Sequence, residues 1–97
     1  MTRSGRKARF DALTVLGCAV CRRDLGVYSR PQIHHLRGHP WSYTGKRADD
    51  QYTIGLCAVH HTDGGHGVAY HAGAQIWEQN HGTQAQILAW TDARIAK

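Results

Sequence analysis

Two short pairs, Cys18-Ala-Val-Cys21 and Cys57-Ala-Val-His60, constrain this chain more than anything else in it. Each has the two-residue spacing at which a tight turn lets both side chains bite one ion, and two such pairs close a tetrahedron. Thiolates favour zinc over magnesium or calcium. Cys18, Cys21, Cys57 and His60 are therefore read as a structural zinc site, closed to substrate and serving folding rather than chemistry. The site uses all three cysteines of the chain. Three thiols cannot all pair as disulfides, and the redox reading of Cys-x-x-Cys lacks a surrounding β-α-β pattern. Incidental buried thiols are the plain alternative. Reduced thiols place the chain in a reducing cytoplasm.

A knot of this kind suits a small core. The chain has 97 residues, which implies one domain, and a metal staple is a common remedy at this size. Residues 1–9 read as a flexible basic arm and 10–97 as the domain. Phe10 to Val20 reads as a short strand or irregular apolar segment leading into the first pair. A strand is expected from Gln32, since Pro31 interrupts anything earlier. A long polar loop, 37–51, precedes a return strand in which Tyr52, Ile54 and Leu56 alternate. A short turn or helix follows near Ala58, broken by Gly64, Gly65 and Gly67. Helix resumes near Tyr70 or His71 and runs to about Asn80. Thr83 with Gln86 forms a capping-box signature. The last helix is expected from Gln84 to about Ala96, burying Ile87, Leu88, Thr91 and Ile95. The fold class is small α+β. No apolar run approaches the ~20 residues of a membrane span, and the basic start is not a convincing signal peptide.

The chain carries eight histidines. With His60 in the knot, His34, His35, His61, His66 and His71 remain as a second constellation. His39 and His81 fall in loops and are read as solvent-facing. On a regular strand His34 and His35 face opposite sides. A strand histidine and a helix-start histidine can make an open metal site, where an ion stabilises charge on a scissile phosphate while a second imidazole takes a proton from water. Adjacent histidines can divide that labour. Net charge is +5, which favours a polyanionic partner. Arg22, Arg23, Arg30, Arg37, Lys46 and Arg47 are candidates for phosphate contact. Trp41 and Tyr43 can stack on bases or simply pack the loop.

This arrangement resembles the HNH, or ββα-metal, endonucleases. Within them it is most similar to small phage-encoded proteins related to the phage recombination-enhancement nuclease. The matching text is Cys18-Ala-Val-Cys21, Ile33-His34-His35-Leu36-Arg37-Gly38, Leu56-Cys57-Ala-Val-His60-His61, Gly67-Val-Ala-Tyr-His71-Ala-Gly, and Trp77-Glu78 before His81-Gly82. The resemblance implies a zinc-stapled ββα-metal (HNH) nuclease domain with an additional C-terminal helix. It makes His34 a metal ligand, His35 the general base, and His61 and His71 further ligands of the catalytic metal, with His66 as substitute for His71. His60 stands where many such proteins have a fourth cysteine. The middle Asn of the pattern is absent, and Asp49, Asp50 and Gln51 are the nearest polar residues. The implied function is metal-dependent endonucleolytic hydrolysis of DNA phosphodiester bonds, a nick rather than a double-strand break. Magnesium, manganese, nickel and zinc all remain open as the catalytic ion, and a homodimer or phage DNA-processing partners in a bacterial host are left open. The alternatives are a zinc-stabilised nucleic-acid-binding module that does not cleave, in which His34, His35, His61 and His71 do not converge, and a structural phage protein binding through the hairpin.

Overall fold

The first element is a helix. In the computed structural model, which describes residues 1–96, α1 spans Arg3–Leu16. Thr2 starts it, its hydroxyl accepting the Gly5 N–H at 3.0 Å, and the exposed Lys7–Asp11 pair at 2.7 Å adds i,i+4 support. The flexible arm over residues 1–9 and the strand-like segment from Phe10 are thus replaced by helix as far as Leu16. Local sequence hides this helix because Leu13 is its one fully buried residue. What holds it is long-range and polar. Arg9 donates to Thr53 Oγ1 at 2.9 Å and to the Thr53 carbonyl at 2.6 Å, and pairs with Asp92 at 3.0 Å. Charged hydrogen bonds of this kind contribute about 2 kcal/mol, so Arg9→Ala is expected to lower Tm by roughly 10 °C for a domain of this size. A thermal melt checks it, and an unchanged Tm would mean that α1 is not anchored there.

Gly17 ends α1 with φ +86°, and a Cβ on it would meet Tyr28 Cδ1 at 2.8 Å. A wide helical turn, Cys21–Leu25, follows. The hairpin pairs β1 (Gln32–His35) with β2 (Thr53–Leu56) in antiparallel register, His34 opposite Ile54 and His35 opposite Thr53. All four β2 residues are buried, not only the alternating ones. α1 and the C-terminal helix both contact β2, so it has no free face. The chain comes close at Gly55, where a Cβ would lie 2.8 Å from the Gly17 carbonyl and 2.9 Å from Pro31.

After β2 comes a second wide turn, Val59–Asp63. The helix expected from Tyr70 is split by Gly73 into a single 3-10 turn, Tyr70–Ala72, and α2, Ala74–His81. α3 is Gln84–Ile95, with the Thr83–Gln86 capping box formed in both directions. It buries Gln84, Ile87 and Thr91, while Leu88 and Ile95 are half-buried. The core gathers Leu36, Ile54, Leu56, Trp77 and Ile87 beside the cysteines. Tyr70 sets its ring edge-on to Trp77, centroids 5.3 Å apart. Among the described residues no helix is long and apolar enough to cross a membrane.

Candidate metal centres and substrate cleft

Cys18 precedes the first wide turn and Cys21 begins it, while Cys57 precedes the second and His60 lies within it. Their four ligand atoms all lie within 4.8 Å of one another. His60 Nδ1 is 3.6, 3.5 and 3.2 Å from the sulfurs of Cys18, Cys21 and Cys57, and Cys21 Sγ is 3.9 Å from Cys57 Sγ. Tetrahedral bonding at zinc-like lengths requires about 3.8 Å between sulfurs and about 3.5 Å from sulfur to nitrogen. The donor set therefore fits a metal ion, and no sulfur pair is close enough to be a disulfide. Burial pushes the Cys18 thiol up to about 12, so its thiolate needs a cation beside it. Burial also raises Cys57, but hydrogen bonds to its sulfur, led by the His60 backbone N–H, outweigh that and leave it lowered. Burial, then His81, lowers His60 and keeps a lone pair on its ring.

The residue after His60 turns the other way. His61 meets His34 from β1 and His71 from the 3-10 turn, and their three ligand atoms again lie within 4.8 Å. His61 Nε2 and His71 Nε2 are 3.1 Å apart. Two nitrogens bound to one ion at about 2.1 Å lie about 3.0–3.4 Å from each other, so this spacing fits a shared ion as well as a hydrogen bond between the rings. His61 Nδ1 donates to Gln32 Oε1 at 2.7 Å, which leaves Nε2 to face His71. All three imidazoles are held neutral. Burial drives His34 down to about 4. Burial and then the His71 charge lower His61, and burial and then Arg37 lower His71. The trio contains no carboxylate, its three ligand atoms lie close enough to share one ion, and its exposed side is at His71.

His35 does not join that trio. As the strand alternation requires, it points elsewhere, and its Nε2–H donates to Asp50 Oδ1 at 2.8 Å. Both side chains are largely buried. Arg6 and Arg47 approach the same carboxylate at 3.9 and 3.8 Å. Of Asp49, Asp50 and Gln51, the polar residues nearest the place of the missing Asn, it is Asp50 that bonds His35. The two histidine sites share one open cleft of about 890 Å³, between β1 and the loop after it. His34, His35, His61 and His71 all line it, with Arg37, His39, Tyr43, Lys46 and Arg47.

Other candidate residues lie apart. His66 is exposed and rests against the Ala72 carbonyl at 3.4 Å, outside the trio. Arg22, Arg23 and Arg30 do not line the cleft. Arg22 donates to the Leu16 carbonyl, and Arg23 is held by Asp24 and the His81 carbonyl. His81, expected in a solvent-facing loop, ends α2 half-buried against Trp77 and His60, because the helix runs one residue further than Asn80. Trp41 packs against the core, while Tyr43 is exposed at the cleft. Gln32 and Gln84 were not singled out by motif, and only their hydrogen bonds mark them, while Asp50 stood only as one of three polar residues near the missing Asn.

No curated protein and no solved structure matches the chain. A family model described as recombination enhancement, RecA-dependent nuclease, matches residues 2–96, nearly the whole sequence. A knot fit for a metal, a second trio of converging imidazoles and a basic cleft are what the fold offers such a family, and the chain belongs to the RecA-dependent nucleases of recombination enhancement.

Proposed function

We propose that the protein is a metal-dependent DNA endonuclease of the HNH type, and that it nicks one strand at a time. One observation carries this reading: His34, His61 and His71 converge in a cleft that His35 and three basic residues also line. The order of strand, strand and helical turn, with His34 on β1 and His61 on the turn after β2, supports a ββα-metal reading. A binding module without cleavage has no need of three converging neutral imidazoles beside a carboxylate-paired fourth. Family membership makes nucleic acid the substrate class and places the activity in recombination.

In this reading Cys18, Cys21, Cys57 and His60 hold a structural zinc, and His34, His61 and His71 hold the working divalent ion. When bound, that ion stabilises negative charge on the scissile phosphate and its leaving oxygen. The chain's own residues do the rest. Arg37, Lys46 and Arg47 meet backbone phosphates and set the strand along the cleft. His35 donates Nε2–H to Asp50 and so keeps its lone pair on Nδ1. That nitrogen takes a proton from water as the water oxygen bonds to phosphorus and the P–O bond on the far side breaks. Asp50 holds the ring and steadies the imidazolium that forms. The domain acts as one copy on one strand, with α1 packed onto β2 and α3.

The test is nicking of supercoiled plasmid with magnesium, manganese, nickel or zinc, with and without RecA protein, because the family is RecA-dependent by description. The parent protein is expected to yield open circles with at least one ion. His61→Ala is expected to stay folded and lose at least tenfold to a hundredfold in rate, as for a lost metal ligand or its support. No cleavage by the parent with any ion, with or without RecA, would overturn the nuclease reading for this chain.

A further inference from the structure

Gln84 is a buried polar residue, 4% exposed, at the first position of α3, fifty residues from the histidine it touches. Every polar atom it has is engaged. Its backbone N–H donates to Glu78 Oε2 at 2.7 Å. Its Oε1 accepts the Arg37 N–H at 2.9 Å, and its Nε2 donates to the Arg37 carbonyl at 2.9 Å. That pair of backbone bonds leaves no freedom to exchange the amide's ends. A backbone N–H only donates and a backbone carbonyl only accepts, so a flipped amide would set donor against donor and acceptor against acceptor. The amide oxygen is therefore fixed on the side where His34 Nε2 lies, at 3.2 Å.

An oxygen can only accept, so His34 Nε2 must carry the proton. Neutral imidazole has one N–H, and the lone pair of His34 is thereby placed on Nδ1. We infer that Gln84 is the positioning residue of the histidine metal site: it selects the Nε2–H tautomer of His34, leaves Nδ1 as the ligand atom, and couples that choice to the backbone of Arg37 at the mouth of the cleft. A free imidazole would be spread over both tautomers and over ring rotations. Clamped by Gln84, it presents one lone pair in one direction, and the same amide fixes the strand end from which Arg37 reaches phosphate. Glu78 closes the chain of contacts by holding the α3 N-terminus, so α2, α3 and β1 are tied at this one side chain. The inference rests on the reading of His34, His61 and His71 as ligands only for its consequence in metal affinity. The tautomer is a property of the protein without that ion.

Two measurements separate these. The first is long-range ¹H–¹⁵N NMR of the histidine rings in zinc-loaded protein with no further metal added. The native protein is expected to show His34 as Nε2–H alone. Gln84→Glu keeps both acceptor bonds, can still donate to the Arg37 carbonyl as the protonated acid, and is expected to keep that tautomer, whereas Gln84→Met keeps the length, removes the bonds and is expected to give a mixture. The second is calorimetric titration of the same three proteins with Ni²⁺, whose affinity is expected to fall about 10- to 100-fold in Gln84→Met, the usual effect of losing a ligand's hydrogen-bond partner. Native His34 in the Nδ1–H form overturns the inference, and that result needs no variant to fold. Pure Nε2–H in folded Gln84→Met also overturns it. A native Nε2–H tautomer in a protein that takes up no Ni²⁺ leaves Gln84 as the selector and overturns the ligand reading instead.

Discussion

Cys57→Ser is expected to abolish cooperative unfolding of the whole domain. The reasoning starts from how little else holds the chain together. Its sheet has two strands of four residues each, and its fully buried large side chains are few. The knot joins the segment just after α1 to the turn just after β2, and Cys18, Ala19, Val20 and Cys21 are themselves part of the core. Zinc bound by such a site contributes about 10–16 kcal/mol in small finger domains, comparable to or larger than the whole stability of a typical domain. Serine is a poor zinc ligand and leaves the Cys18 thiol, already pushed up to about 12 by burial, without its cation. The measurements are zinc content by mass spectrometry and far-UV circular dichroism through a thermal ramp. The parent should carry zinc and melt in one transition, and Cys57→Ser should lose the metal and show no transition. A strong chelator should give the same result with the parent. His61→Ala, one residue beyond the knot, should melt within a few degrees of the parent. A Cys57→Ser protein as stable as the parent would sink the structural-zinc proposal.

That contrast between neighbours also marks what sequence could reveal. The knot is legible because its ligands sit at fixed local spacings, with two residues between the members of each pair, so a motif marks all four. α3 is legible for the same reason: Thr83 and Gln86 cap it within three residues. The helix at the start is not, since Arg9 finds its partners at Thr53 and Asp92, far along the chain. The apolar pattern of α1 is correspondingly thin. The burial of all of β2 is likewise set by helices from both ends of the sequence. His34, His61 and His71 were identified as residue types, but their convergence depends on the hairpin register and on Gly73 stopping the turn that carries His71. The partners that fix ring orientation are the least legible part. Gln32, Asp50 and Gln84 belong to no motif and reach their histidines across 29, 15 and 50 residues.

Asp50 leads to the second large effect, on rate rather than stability. His35→Ala is expected to lower the single-turnover nicking rate by about 10²- to 10⁴-fold, the usual contribution of a positioned general base. Binding of Ni²⁺ at the His34 site should be unaffected, because His35 is held by Asp50 and is not one of the converging ligand atoms. Asp50→Asn should act in the same direction but less strongly, about 10- to 100-fold, because an amide can accept from Nε2 yet supplies no charge to the imidazolium. The double variant should be no slower than His35→Ala alone if Asp50 acts through His35, since residues that work as a unit are not additive. Arg6 adds a further arm. It lies on α1, 3.9 Å from Asp50 Oδ2, so the helix that looked like a loose tail reaches the group that orients the base. Arg6→Ala should therefore slow nicking without altering Ni²⁺ affinity. The parent and these four variants, assayed on one plasmid, decide the matter. Parent-like cleavage by His35→Ala would remove His35 from the mechanism and with it the roles given to Asp50 and Arg6. A double variant markedly slower than His35→Ala would instead make Asp50 an independent participant, acting on the substrate rather than on the base.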